Sequence, residues 1–324
     1  MIGFGVSTRS RKDLTIWEEK LKTLSLIIGL IFAAGIQAAE TQSESKALYA
    51  KTLTVTSFNI RYYGRTDRPD EVPVPAERNP HIKSFLQNEV PFSDVIVFEE
   101  IMDKQELKNV LPSNMDCLSY DNDNPNHQFV VMCARSQYKW KIDTATDDNY
   151  TIEEVALGSS GMRPALHALL TDSKGKVLLR IVGVHLKAFP TRSDVRALQM
   201  EYISKQLASA DERIPTIITG DFNTYYPDQT GLSKPDTELL TDQLVLQNLD
   251  IGMANHPSDY TFRSGVFRSK FDHFWKSRDL KAIGDVQVTG YCNDATKQPK
   301  SLSVDDYLRF ISDHCPVSLK VRIP

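Results

Sequence analysis

The segment Thr219-Gly220-Asp221-Phe222-Asn223-Thr224 decides the fold, because it places polar side chains directly after an apolar run. The preceding residues 214–218 (IPTII) predict a buried strand that ends where the polar residues begin. Asp221 and Asn223 are two residues apart and follow a glycine, so both short side chains can turn toward one point. Such a point can hold a divalent metal, a phosphate or an attacking water.

The composition is that of an ordinary globular protein. The chain has 324 residues, of which 41% are hydrophobic and 25% are charged. Its formal net charge is −4 with no block of like charge, so no basic arm indicates nucleic-acid binding. An acidic balance does not exclude an anionic substrate, because a bound divalent cation inverts the local field.

The N-terminal region predicts an export signal. Residues 24–36 (LSLIIGLIFAAGI) are a mostly apolar run preceded by two lysines, and this run is shorter than the ~20 residues that cross a bilayer. We therefore expect residues 1–39 to be an N-terminal extension and signal peptide, with Leu21 as an alternative start, and residues 40–50 to be a linker. With no repeats or composition shift, residues 51–324 are expected to form one exported domain, periplasmic or extracellular.

Four cysteines leave the redox state open. One or two disulfides are expected in an oxidising compartment, and three pairings are available to Cys117, Cys133, Cys292 and Cys315. The alternative is that Cys133 and Cys315, both in apolar runs, are buried thiols. The spacings contain no CxxC pair, which argues against a zinc site.

Strand and helix patterns alternate along the chain. Strands are predicted at 51–60, 93–98, 116–120, 128–134, 163–170, 176–187, near 260, 271–275, 286–288 and 315–322, with one more before Gly220. Helices are predicted at 79–90, 104–110, 191–208 and 237–248. Both halves have many short strands and few helices, which favours an α/β sandwich of two sheets packed face to face with helices outside.

Polar residues end many of these apolar runs. They are Asn59, Glu100, His185, Asp221 with Asn223, Asp272, and Asp313 with His314. Hard cations prefer carboxylate and amide oxygens, and a catalytic histidine needs an orienting carboxylate, for which Asp272 is the natural partner of His314. The chemistry that these groups can share is phosphoester hydrolysis.

The motifs around these residues resemble the endonuclease/exonuclease/phosphatase superfamily, whose fold is deoxyribonuclease I-like. They are Ser57-Phe58-Asn59-Ile60-Arg61, Glu99-Glu100, Val184-His185-Leu186-Lys187 with Arg196-x-x-Gln199, Gly220-Asp221-Phe222-Asn223, Phe271-Asp272-His273-Phe274 and Ser312-Asp313-His314-Cys315-Pro316-Val317. The resemblance spans residues 53–321. It implies a four-layered α/β sandwich, with Mg²⁺ (or Mn²⁺ or Ca²⁺) at the edge where two mainly antiparallel sheets open.

The resemblance also implies a role for each site residue. Glu100 would be the principal metal ligand, with Asn59 and Asp313 contributing. Arg163 would contact phosphate.

The remaining roles concern the water and the phosphate. Asp221 and Asn223 would position them, with Asn223 also contacting the phosphate. His314, oriented by Asp272, would be the general base or would stabilise the phosphate. His185 would act on the phosphate or the leaving group.

Two departures from the family pattern affect the site. Many members have Gln-Glu where this chain has Glu99-Glu100, so Glu99 is expected to add charge at the metal. In the deoxyribonuclease branch, the counterpart of His185 contacts a glutamate. The matching position here is Gln128, an amide, which would hold a protonated His185 less well.

The substrate is the least determined feature. The first interpretation is a secreted endonuclease that acts on DNA and also RNA, as a monomer without a stable protein partner. Arginines after the first predicted strand could follow a phosphate backbone or simply be solvated; they are Arg61, Arg65, Arg68 and Arg78. The alternatives are a sphingomyelinase-type phospholipid phosphodiesterase, another phosphatase on this fold, and a non-catalytic binding protein. A phospholipid enzyme would need an exposed apolar hairpin, and the insert at 225–235 offers few apolar residues.

Overall fold

Two β-sheets, each with one parallel pair of strands at its centre, organise the chain. The computed structural model describes residues 51–121, 127–143, 150–159, 161–211, 214–292 and 302–323. The predicted signal peptide and linker lie outside these residues. No helix in the described part of the chain is both long and apolar enough to cross a membrane.

The strands and helices follow in chain order. The strands are β1 Thr52–Tyr63, β2 Val95–Ile101, β3 Met115–Leu118, β4 Phe129–Arg135, β5 Tyr138–Lys141, β6 Thr151–Ile152, β7 Ala165–Asp172, β8 Val177–His185, β9 Thr216–Asp221, β10 Ile251–Met253, β11 Phe262–Ser264, β12 Phe267–Ser269, β13 Asp272–Ser277, β14 Lys281–Ala282, β15 Gln287–Val288 and β16 Val317–Arg322. The helices are α1 Pro75–Asn88, α2 Lys104–Val110, α3 Ser193–Ala208, α4 Pro227–Thr230, α5 Asp236–Leu246 and α6 Val304–Asp306.

The two sheets have related topologies. The first has the order β14-β16-β1-β2-β4-β3, with β15 beside β16, and the second has the order β10-β13-β9-β8-β7-β5, with β6 beside β7. In each sheet one central pair is parallel, β1 with β2 and β8 with β9, and the neighbouring pairs are antiparallel. The predicted sandwich of two mainly antiparallel sheets is confirmed.

The parallel pairs explain where the helices lie. Parallel neighbours need a crossover connection, and α1 and α3 supply it for the two pairs. Helix α1 begins at Pro75, four residues before the predicted start, because proline is well suited to a first helical position, where its missing N–H is not needed. Helix α2 begins where predicted, since the side chain of Asp103 accepts hydrogen bonds from the N–H groups of Gln105 and Glu106.

A continuous core fills the space between the sheets. Residues of β1, β2 and β4 pack with residues of β7, β8 and β9 in one buried cluster. A second cluster lies between the second sheet and helices α3 and α5; it includes Met200, Ile203, Leu240, Leu244 and Trp275. Burying each of these side chains contributes roughly 1.5–3 kcal/mol. Apolar side chains are therefore packed on both faces of the second sheet and stabilise its strands.

Both pairs of cysteines are bonded. Cys117 and Cys133 face each other across β3 and β4, and Cys292 is linked to Cys315, which precedes β16. The alternative of buried thiols at Cys133 and Cys315 is therefore wrong. The second bridge ties the residue after His314 to the chain beyond β15.

Some elements were not predicted from the sequence. Strand β5 and the hairpin of β11 and β12 are short and carry mixed polar and aromatic residues, so neither shows a clear period.

Candidate active site

Irregular backbone at the ends of β1 and β2 turns Glu100 into the site. The registers of both strands shift there, between Asn59 and Tyr63 and between Phe98 and Ile101. Glu100 has a φ of 59°, in the left-handed region that non-glycine residues rarely adopt. Bulges of this kind re-aim side chains beside active sites.

Three site residues share one level of the second sheet. Asp221, the last residue of β9, is the register partner of His185 on β8 and of Asp272 on β13. Gly220 is required next to this level, because a Cβ there would lie 1.9 Å from the carbonyl oxygen of Val184 and its φ is 147°. The glycine of the segment 219–224 thus allows β9 to bring Asp221 against β8.

Asn59 joins the two sheets at the site. Its Nδ2 donates hydrogen bonds of 3.0 Å to Oε1 of Glu100 and 3.0 Å to Oδ2 of Asp221. Its Oδ1 accepts from the N–H of Arg61 at 2.9 Å, which fixes the orientation of the amide. An amide nitrogen does not bind a cation, so the predicted ligand role of Asn59 requires its amide to turn.

A cluster of possible metal ligands forms around these carboxylates. One ligand atom each from Glu100, His185 and Asp221 lies within 4.8 Å of the others. His185 Nε2 is 4.0 Å from Glu100 Oε1 and 3.5 Å from Asp221 Oδ2. Asp313, predicted as a ligand, is not in this cluster of described residues; its Oδ2 lies 3.6 Å from Nε of Arg61. The cluster thus joins the predicted ligand Glu100 with Asp221 and His185, whose predicted roles concern the water and the phosphate.

The electrostatics of the acids favour a bound cation. Burial raises the pKa of Asp221 to about 7, and His314 only partly offsets this. Burial, followed by repulsion from Asp313, raises the pKa of Glu100. Packed carboxylates that resist ionisation are stabilised by a divalent ion, and oxygen ligands suit Mg²⁺, Mn²⁺ or Ca²⁺. The residues present thus fit the implied metal.

His314 lies between two carboxylates. Its Nδ1 is 2.9 Å from Oδ2 of Asp272, and its Nε2 is 3.6 Å from Oδ2 of Asp221. Burial lowers the pKa of His314, but Asp272 and Asp221 outweigh it and raise this pKa well above its ordinary value. His314 therefore carries a positive charge at neutral pH, as its predicted pairing with Asp272 allows.

His185 has the opposite character. Burial, with added repulsion from Arg163 and His314, lowers the pKa of His185 well below its ordinary value. Its Nδ1 has no hydrogen-bond partner among the described residues. The side chain of Gln128 instead forms a hydrogen bond with the hydroxyl of Tyr62. The pKa values of the two histidines are thus shifted in opposite directions, so His314 is protonated more readily than His185. Such a difference gives neighbouring titratable groups separate acid and base roles.

Asn223 and Arg163 border the cluster. Asn223, at a φ of 49°, donates from its backbone N–H to Oδ1 of Asp221 at 2.8 Å and from Nδ2 to the carbonyl oxygen of Leu186 at 3.2 Å. Arg163 makes only long hydrogen bonds, of 3.4 Å and 3.5 Å, to the carbonyl oxygens of Gly161 and Leu186. Its Nε is buried without a partner in the described part of the chain, so this cation retains N–H groups for a phosphate.

Glu99 does not add charge at the metal as expected. It is fully buried, accepts a 3.0 Å hydrogen bond from Oγ of Ser57, and is the register partner of Asn59 on β1. Burial, with repulsion from Asp272 and Asp221, raises the pKa of Glu99 well above its ordinary value. Its carboxyl group is therefore neutral and lies beneath the site.

The loop arginines have structural partners. Arg65 and Arg68 pair with Asp67 and Glu71 in the same loop, and Arg61 pairs with Asp313. Arg78 is buried and donates to backbone carbonyl groups, including those of Ile60 and Ile311. The loop pairs of Arg65 and Arg68 fit the solvated-loop alternative, whereas the burial of Arg78 fits neither alternative.

Three supporting residues were not singled out from the sequence. Thr261 Oγ1 donates to Asp272 Oδ2 at 2.6 Å, the backbone N–H of Tyr62 donates to Glu100 Oε2 at 3.1 Å, and Ser312 Oγ donates to the carbonyl oxygen of Asn59 at 2.7 Å. Only Ser312 lies inside a quoted motif. The contacts of the other two depend on tertiary packing that no local pattern reveals.

Comparison with known proteins agrees with this architecture. The model of the Endonuclease/Exonuclease/phosphatase family matches residues 56–314. No curated protein matches the sequence. An endonuclease/exonuclease/phosphatase structure from Bacteroides vulgatus superposes with a TM-score of 0.60 at 16% identity, covering 85% of this chain and 100% of that chain.

Two further structures show the same fold. Zebrafish (D. rerio) TDP2 complexed with single strand DNA product has a TM-score of 0.57 at 15% identity, covering 84% of this chain and 99% of that chain. A mannosyl-6-phosphatase from Bacteroides thetaiotaomicron has a TM-score of 0.56 at 16% identity, covering 83% and 99%. At these identities the likeness concerns the fold, and it does not distinguish among substrates.

Proposed function

The chain belongs to the endonuclease/exonuclease/phosphatase family, and from that premise we propose that it is a metal-dependent phosphodiester hydrolase that cleaves nucleic acid. The observation that carries the proposal is the position of Asp221 Oδ2 between the ring nitrogens of two buried histidines. His185 Nε2 lies 3.5 Å and His314 Nε2 lies 3.6 Å from Oδ2 of Asp221. The carboxylate of Asp221, the protonated ring of His314 and the neutral ring of His185 thus meet at one point.

Asp221 and His314 have different roles in the proposed reaction: Asp221 accepts a proton, and His314 donates a hydrogen bond. With a pKa near 7, Asp221 can accept a proton from the attacking water at neutral pH. The water oxygen then bonds to phosphorus while the bond from phosphorus to the leaving oxygen breaks, and the leaving alkoxide takes a proton from solvent water. The protonated His314 donates a hydrogen bond from Nε2 to a phosphoryl oxygen, whose negative charge grows in the transition state.

Other residues hold the reactants in place. Glu100 and His185 would hold the cation, and Asn59 keeps the carboxylate of Asp221 beside that of Glu100. When bound, a divalent cation lowers the pKa of a coordinated water and offsets charge on the phosphoryl group. Arg163 contributes N–H groups to the phosphate, and Asn223 fixes the second oxygen of Asp221.

Nucleic acid is the proposed substrate class, and export is the proposed location. A structural neighbour is recorded with single strand DNA product, which supports a nucleic-acid substrate on this fold. Export rests on the apolar run at 24–36 together with the two disulfides, which are typical of proteins that reach an oxidising compartment.

The proposal is tested by plasmid nicking with the purified protein. We expect nicking with Mg²⁺ or Mn²⁺, none with EDTA, and at least a ~10³-fold loss in Asp221→Asn. The melting temperature of Asp221→Asn should not fall, because the amide resembles the protonated acid. Nicking that survives both EDTA and Asp221→Asn would contradict the proposal.

One observation favours a second candidate, a phospholipid phosphodiesterase. The hairpin of β11 and β12 carries Val266, which is fully exposed, and Phe267, which is 37% exposed, and Phe262 at its base contacts His314. An apolar tip next to the site could enter a lipid surface. Sphingomyelin hydrolysis with a matched metal requirement but no plasmid nicking would favour this candidate. Absence of both activities would favour the non-catalytic alternative.

A further inference from the structure

Phe189 has an unusual backbone for a bulky, exposed residue. It follows His185 by four positions and has φ 83° and ψ 136°. This region is disfavoured for residues with a Cβ, and such strain persists only where the surroundings enforce it, commonly at ligand sites. The ring is 62% exposed, so burial of the side chain does not account for the conformation.

A buried ion pair fixes the peptide groups around Phe189. Arg196 Nη1 donates to the carbonyl oxygens of Lys187, at 2.8 Å, and Phe189, at 2.7 Å. Arg196 pairs with Asp236, and both side chains are buried. Asp236 Oδ2 also accepts the N–H of Tyr225 at 2.9 Å, which ties the segment after β9 to the same ion pair. The starts of α3 and α5 therefore jointly hold the strained residue.

The exposed ring follows the site residue His185 by four positions, which keeps it within reach of the site. The segment from His185 to Phe189 spans at most ~14 Å when extended. Its first part is fixed to the site, because the N–H of Leu186 donates to the carbonyl oxygen of Asp221 at 2.9 Å. The ammonium of Lys187 lies 5.8 Å from the centre of the Phe189 ring, so a cation accompanies the aromatic face. A flat group on the ring and a phosphate on Lys187 would suit one strand of nucleic acid.

We propose that Phe189 is a stacking platform for a base next to the scissile phosphate in an unpaired nucleic acid strand. The inference rests on the proposed function and predicts that an unpaired strand is cleaved faster than a duplex. A paired base has both faces covered by its neighbours, whereas an unpaired base can lie on an aromatic ring. An acyl chain would need only an apolar surface at this position, and a rigid flat ring would give it no advantage.

The test compares Phe189→Ala, Phe189→Leu and Phe189→Trp on a fluorescent single-stranded oligonucleotide. Stacking contributes about 1–3 kcal/mol per base, which corresponds to a ~5- to 150-fold loss of kcat/KM in Phe189→Ala. Phe189→Trp should keep the activity, and Phe189→Leu should lose as much as Phe189→Ala. Phe92→Ala is the matched control, because Phe92 is 83% exposed and precedes β2 at the end of that strand opposite Glu100.

A substrate with a single abasic position separates stacking from other causes. Moving the abasic position along the oligonucleotide should locate one position at which wild type and Phe189→Ala become equal. Full activity of Phe189→Leu, or an unchanged rate in Phe189→Ala, would overturn the inference while leaving the proposed function intact. No cleavage of any nucleic acid by the wild type would instead overturn the proposed function, and the inference with it.

Discussion

Oδ2 of Asp272 lies 2.9 Å from Nδ1 of His314, and both side chains are buried. This contact fixes which ring nitrogen of His314 faces the site, because Nδ1 is occupied and Nε2 points toward Asp221. The carboxylate also stabilises the positive charge that the proposed mechanism assigns to His314. The pair therefore sets both the orientation and the charge of the histidine.

Asp272→Asn tests this pair. An amide cannot stabilise an imidazolium as a carboxylate does, and it also permits the wrong tautomer. We expect kcat to fall roughly 10²- to 10⁴-fold with little change in KM. Steady-state kinetics on the substrate found by the nicking assay, with circular dichroism to verify folding, would measure this. A kcat within a few-fold of wild type would show that His314 acts without Asp272.

Thr261 extends the pair to a third residue. Its Oγ1 donates to Asp272 Oδ2 at 2.6 Å and accepts the backbone N–H groups of Phe271 and Asp272. Thr261→Val keeps the shape but leaves these groups unpaired, which costs about 1–3 kcal/mol of stability. We expect lower kcat in Thr261→Val and near-normal kcat in Thr261→Ser, which retains the hydroxyl. Equal kcat values in the two variants would show that only packing matters at this position.

The sequence predicted the site because its residues end apolar runs. A run such as 214–218 is recognisable without neighbours, and the polar residue after it must emerge at a sheet edge. Two such edges meet once the sheets pack face to face, so Glu100 and Asp221 come together. The same reasoning paired Asp272 with His314, since a buried histidine next to an unmatched acid has few other partners.

Features that depend on backbone irregularity were not predictable from the sequence. The bulge at Glu100 re-aims that side chain, and Arg61 holds the amide of Asn59 with its nitrogen toward the carboxylates. The family resemblance implied that Asp313 contributes to the metal site, and its pairing with Arg61 is a tertiary contact that no local pattern shows. The strained conformation of Phe189 likewise depends on Arg196 and on a distant acid.

The pKa of Asp221 makes the stability of the metal-free protein depend on pH. Because this pKa is raised to about 7 by burial, the folded protein retains a proton that the unfolded chain releases near pH 4. The contribution of Asp221 to the unfolding free energy is therefore greatest at low pH, and this contribution is lost as the pH rises toward 7. In Asp221→Asn, we expect the fall in unfolding free energy between pH 5 and pH 8 to be smaller by roughly 2–3 kcal/mol.

Urea unfolding in EDTA at the two pH values would measure this difference. Asp228→Asn, at an exposed position of α4, serves as the control and should leave the pH dependence unchanged. Adding Mg²⁺ to the wild type at pH 8 should restore stability, since a cation that binds only the folded state stabilises it. Identical pH profiles for wild type and Asp221→Asn would show that Asp221 is ionised in the folded protein throughout this range.

At Gly220, the backbone of the neighbouring strand β8 leaves no space for a side chain. A Cβ there would lie 1.9 Å from the carbonyl oxygen and 2.9 Å from the nitrogen of Val184, and these backbone atoms cannot move aside without shifting β8. Gly220→Ala should therefore cost about 3 kcal/mol or more and displace Asp221 from His185, with loss of activity. Gly252→Ala is the matched control, because its nearest neighbour is the Nε of Arg278 at 3.8 Å. Unfolding midpoints in urea would rank the two variants, and a Gly220→Ala protein as stable and active as Gly252→Ala would show that β8 and β9 can separate at this level.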